Sequence, residues 1–95
     1  MEKDVERKLV KAVTAKGGIC PKFVSPGFAG MPDRLVLLPD GKAGFVEVKD
    51  IGKKPRPLQE SRHRLLQGLG FPVFVLAEEK SIPEIISGIE GGGSE

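Results

Sequence analysis

Apolar and polar positions along this chain change rhythm from one stretch to the next, and each change marks an element. From Glu2 to about Ala15, Val5, Leu9, Val10, Ala12 and Val13 fall on one broad arc when the chain advances by about 100° per residue. Lys3, Asp4, Arg7, Lys8 and Lys11 lie mostly opposite. This predicts an amphipathic helix, ended by Lys16-Gly17-Gly18, where glycine supplies the left-handed residue that closes a helix. Ile19–Val24 reads as a first strand, with Pro21 marking an edge position or an irregular start. Residues 25–32, rich in Gly and Pro, read as a loop. Two apolar runs follow, from Arg34 to Leu38 and from Ala43 to Lys49, joined by a turn at Pro39-Asp40-Gly41. Strand alternation puts Phe45, Glu47 and Lys49 on one face of the second run and Val46 and Val48 on the other. Leu58–Leu69 predicts a second helix with Leu58, Leu65, Leu66 and Leu69 as its apolar stripe, Gln59 at the edge and His63 just past it. Phe71–Ala77, nearly all apolar, reads as a buried strand. Ser81-Ile82-Pro83-Glu84 has capping-box spacing and opens a short helix with Ile82, Ile85, Ile86 and Ile89 inward.

The order helix, three strands, helix, strand, short helix predicts an α/β fold: a small mixed β-sheet flanked by helices. Its first three strands form an antiparallel meander, and the last joins through a crossover. One domain over residues 1–90 is expected, with 91–95 a flexible tail.

Composition narrows the function. The 95 residues are 39% hydrophobic and 29% charged, as in an ordinary soluble domain. Five Phe with no Trp or Tyr leave no stock of exposed aromatics for stacking unpaired bases. A net charge of +2 means that any affinity for nucleic acid comes from a local patch. The single cysteine, Cys20, excludes an internal disulfide and a cysteine-based zinc cluster. No apolar run approaches the ~18 residues of a membrane span, and the N-terminal stretch lacks a signal-peptide core, so a cytoplasmic location is expected.

The chemistry concentrates between Pro32 and Lys49. A carboxylate and an ammonium in phase on one face of an apolar strand are costly to build into a small protein. If Asp33 begins the neighbouring strand, it arrives beside Glu47, and two carboxylates converge with Lys49. Such a set binds a hard divalent cation through oxygen. A salt-bridged cluster without catalysis is the plainer reading of the same residues. Glu6 interrupts the apolar arc of the first helix, either as a further site carboxylate or as an edge residue that reaches water or pairs with Lys22. Lys53, Lys54 and Arg56 follow directly after the charged strand, either as a solvated surface loop or, at the mouth of the site, as a basic loop that contacts phosphates. Lys22 and Arg34 are weaker candidates for the same task. His63, without partner histidines, reads as a helix-flank residue near the surface.

Taken together, Val5-Glu6-Arg7-Lys8-Leu9, Lys16-Gly17-Gly18, Ser25-Pro26-Gly27, Gly30-Met31-Pro32-Asp33-Arg34, Phe45-Val46-Glu47-Val48-Lys49 and Pro57-Leu58-Gln59 make the chain resemble the PD-(D/E)XK nucleases. The match is more specifically to the virus-type replication-repair nuclease (VRR-NUC) domain, over roughly residues 2–77, and the chain is also similar to archaeal Holliday-junction resolvases. The resemblance implies an αβββαβ core and a Mg2+- or Mn2+-dependent endonuclease. Asp33 and Glu47 would be the metal-binding carboxylates, with the Val48 carbonyl as a further ligand and Glu6 completing the shell directly or through water. Lys49 would orient the attacking water or stabilise charge on the phosphate, and Gln59 would hold the substrate or the lysine. It further implies a homodimer acting on branched DNA, in a prokaryote or encoded by its phage. A non-catalytic DNA-binding module, or a subunit of a replication or repair assembly, is the alternative expectation.

Overall fold

A computed structural model describes residues 2–91. The expected tail therefore lies, from residue 92 on, outside the described residues. Glu2–Ala15 forms α1, and Leu9 and Val13 on its inner face are fully buried. The helix closes as its sequence predicts: Gly17, at φ +87°, donates to the Thr14 carbonyl at 2.9 Å, and Gly18 donates to the Val13 carbonyl at 3.0 Å.

The expected first strand over Ile19–Val24 does not form as a regular strand. The segment runs antiparallel beside β1 (Arg34–Leu38) but meets it only in isolated bridges, Ile19 to Leu37 and Lys22 to Arg34. Pro21 is the physical reason, because it has no N–H to give to a ladder; its carbonyl still accepts from the Leu35 N–H at 3.1 Å. The meander is therefore an extended edge segment plus a hairpin.

That hairpin joins β1 to β2 (Lys42–Val48) in register Arg34 to Val46 through Leu38 to Lys42. Its connection, Pro39–Gly41, is a short 3-10 turn with Asp40 at φ 68° and Gly41 at φ 72°. Both residues are types that tolerate the left-handed region. After α2 (Pro57–Gly68), β3 (Val73–Leu76) returns parallel to β2, giving the order β1-β2-β3 with β2 central. The expected mixed sheet with its crossover is thus present.

The two faces of this sheet are unequally packed. Val46 and Val48 enter a core of twelve buried residues shared with α1 and with α3 (Ile82–Glu90). The opposite face holds only Phe45, Leu66 and Val73 as a buried apolar cluster. α3 lies close against β2: a Cβ on Gly44 would stand 2.7 Å from the Ile89 side chain, and one on Gly88 2.5 Å from the Phe74 ring. The four isoleucines of α3 are buried as expected. The capping box is not formed, because a 3-10 turn at Glu79–Ser81 leads straight into α3 and leaves Ser81 with helical φ and ψ. An N-cap side chain reaches back to the helix only from an extended backbone.

The second correction of this kind concerns α2. Leu58, Leu65 and Leu69 are 45%, 45% and 67% exposed, and the buried residues are Gln59, His63 and Leu66. The helix is turned roughly a quarter of the way round from the expected stripe, so its polar residues face the sheet. His63 is accordingly not a surface residue.

Candidate active site

Alternation along β2 makes Glu47 share the thinly packed face with Phe45, where α2 covers it, and only 1% of the residue is exposed. Its Oε2 accepts a hydrogen bond from Gln59 Nε2 at 2.8 Å, and Lys49 Nζ lies 3.6 Å from the same oxygen. Gln59 is itself fixed, its Oε1 accepting from the Arg56 N–H at 2.9 Å. The other oxygen, Glu47 Oε1, is buried without a hydrogen-bond partner; His63 Nε2, equally without one, faces it at 3.7 Å.

Asp33 stands at the entrance to β1. Proline at position 32 is buried and fixes the backbone angle there, and the Asp33 carbonyl accepts from the Phe23 N–H at 2.8 Å. Its Oδ2 accepts from the Val48 N–H at 2.8 Å, which ties the start of β1 to the end of β2. Asp33 therefore reaches Glu47, as the spacing predicts. The Glu47 pKa is pushed up to about 7, first by burial and then by the negative charge of Asp33, against a smaller opposite pull from Lys49. Burial likewise lowers the basicity of His63.

Glu6 approaches from the other side of the sheet. It lines an open pocket of about 250 Å3 together with Lys22, Asp33 and Val48, so Asp33 is the carboxylate common to both sides. Its partner is Arg34 and not Lys22, the cation named in the edge-residue alternative: Arg34 Nε donates to Glu6 Oε2 at 2.8 Å, and the same guanidinium donates to the Cys20 carbonyl at 2.8 Å. Arg34 is thereby engaged within the fold, only 14% of its side chain exposed, and this leaves it little freedom for a phosphate. Lys22, Lys53, Lys54 and Arg56 are exposed around the same end of the sheet or on the loop that follows β2.

The donor set suits a hard divalent cation in one respect and is incomplete in another. The Asp33 and Glu47 carboxylates repel each other, and one buried oxygen of Glu47 lacks a partner among the described residues; a cation would relieve both features. Among the described residues, however, no group of three or more His, Cys, Asp and Glu side chains is gathered closely enough to hold a metal ion. The physical reason is that Glu6 and Glu47 sit on opposite faces of the sheet. Asp33, Glu47 and the Val48 carbonyl fit a cation that keeps several waters, which is how Mg2+ is commonly held. Sequence reasoning missed His63. Its i, i+4 spacing from Gln59 is the signal that would have found it, since that places the two on one helix face.

No family model matches the chain. It is 53% identical over 75 residues to the "Putative nuclease p44" of Acyrthosiphon pisum secondary endosymbiont phage 1, across 79% of this chain and 81% of that protein. Among solved structures it is similar to a "VRR_NUC domain" at 37% identity and a TM-score of 0.84, covering 90% of this chain and 94% of that one.

Proposed function

The chain belongs to the VRR-NUC family of nucleases, and on that premise we propose that it is a divalent-metal-dependent endonuclease that hydrolyses phosphodiester bonds in branched DNA, as a homodimer. The observation that carries the reading is the buried Glu47 carboxylate, pressed against Asp33 with one oxygen unpartnered. Two acidic groups set in that way destabilise the protein alone and gain a purpose when a cation joins them.

Asp33, Glu47 and the Val48 carbonyl would hold Mg2+ or Mn2+. A bound cation would polarise the scissile phosphate and raise the acidity of water at the site. Glu6, across the pocket, orders water on the α1 side. Lys49, 3.6 Å from Glu47 and only 20% exposed at its side chain, brings a fixed positive charge to the place where charge develops on the phosphate. Gln59 keeps Glu47 from swinging away. Lys53, Lys54 and Arg56 with Lys22 bind the backbone without reading sequence.

The test is cleavage of a four-way junction, a flap, linear duplex and single-stranded DNA in Mg2+, Mn2+ or EDTA, with Asp33→Ala and Lys49→Ala alongside. Paired nicks across the junction that require metal and vanish in both variants are the expected result. Metal-independent binding without cutting of any substrate would establish the non-catalytic reading instead.

A further inference from the structure

Gln59 and His63 lie one turn apart on the buried face of α2, and each is aimed at a different oxygen of the same carboxylate. Gln59 has made its bond, to Oε2 at 2.8 Å; His63 has not, its Nε2 standing 3.7 Å from Oε1. That distance is about half an ångström beyond hydrogen-bond reach. Both atoms are buried and neither has another partner. Buried polar groups are nearly always satisfied, so an orphan donor and an orphan acceptor facing each other mark a bond that a small movement completes.

We propose that His63 is a positioning residue for Glu47: its Nε2–H takes one lone pair of Oε1 and leaves the other to the divalent cation, so that α2 grips the carboxylate by both oxygens and fixes the orientation it presents to that cation. The proposal rests on the reading of Glu47 as a metal ligand and adds a residue outside the Asp33, Glu47, Lys49 set. The physical logic is pre-organisation. A carboxylate held at one oxygen still pivots about that bond, and a second donor removes the pivot. Groups that orient a ligand in this way typically contribute 10–100-fold to metal affinity. Loss of such a group weakens metal binding more than it changes turnover once metal is saturating.

His63 is the only histidine in the sequence, so its ring nitrogens can be followed without ambiguity in the untagged wild-type protein. Long-range proton–nitrogen NMR should show the proton on Nε2, and Mg2+ should shift that nitrogen. A neutral ring protonated on Nδ1 with Nε2 bare would overturn the proposal. Calorimetric titration with Mn2+ supplies the second readout. His63→Leu should raise Kd about 10–100-fold with kcat at saturating Mn2+ changed far less, and His63→Gln, which keeps an N–H donor, should recover much of the affinity. Equal Mn2+ affinity in wild type and His63→Leu overturns this proposal alone. No Mn2+ binding by the wild type overturns the metal reading, and this proposal with it.

Discussion

Replacing Glu47 by glutamine should stabilise the metal-free protein while abolishing cleavage. In the native fold the Glu47 carboxyl is pushed from 4.5 to about 7, by burial first and Asp33 second. At about 1.4 kcal/mol per pH unit, that rise corresponds to about 3 kcal/mol by which ionised Glu47 opposes folding. The sign follows from the direction. A group whose pKa is higher in the folded state supports folding when protonated, below about pH 4.5, and loses that contribution as pH rises through about 7. Glutamine keeps the shape, can still accept from Gln59, and carries no charge at any pH. Urea denaturation of both proteins in EDTA should give nearly equal stabilities near pH 4. By pH 8 the variant should be more stable by about 3 kcal/mol. Adding Mg2+ at pH 8 should raise the stability of the wild type more than that of Glu47→Gln, which keeps the Asp33 carboxylate but has lost the second anion. A variant less stable than wild type at pH 8 in EDTA, or a difference that stays flat from pH 4 to pH 8, would refute the reasoning.

Four further outcomes follow from the same geometry. Gly18→Ala should destabilise the fold by about 1–3 kcal/mol in denaturation, because its Cβ would fall 2.2 Å from the Leu37 carbonyl oxygen. Arg34→Ala should lose about 1–3 kcal/mol of stability by stranding the partly buried Glu6 and the Cys20 carbonyl; Lys53→Ala should leave stability unchanged but lower the salt dependence of DNA binding by about one ion. Cys20, buried and pushed up to about 11 chiefly by that burial, should resist iodoacetamide at pH 8 until denaturant is added, as followed by mass spectrometry; rapid alkylation of the native protein would contradict its placement.

Most of the fold was readable where a single period governs a segment. The alternation of β2 placed Val46 and Val48 in the core and Glu47 toward the site, and the α1 arc with its glycine close was found in full. Two misreadings share a cause: a local rule met a non-local demand. The leucines of α2 obey helical periodicity, yet the helix presents Gln59 and His63 inward because Glu47 needs polar partners there. The stretch after Gly18 has strand composition, but Pro21 cannot complete a ladder against β1. For the site, the strand pair brings Asp33 to Glu47, whereas the partner of Glu6 depends on which cation, Lys22 of the edge segment or Arg34 of β1, the packing places nearest. That choice is tertiary, and Arg34, not Lys22, fills it.

The unequal packing of the sheet's two faces has a consequence for how the molecule opens and closes. Backbone amides of β2, flanked by strands on both sides, and of α1 and α3, which share the larger core, should exchange with solvent only on complete unfolding. α2 is anchored mainly through Leu66 in the small cluster with Phe45 and Val73, so it should be released in a lesser, separate event. Gln59 and His63, which face the two oxygens of Glu47, travel with that helix. The protein can thus lose the alignment of its carboxylate without losing its fold.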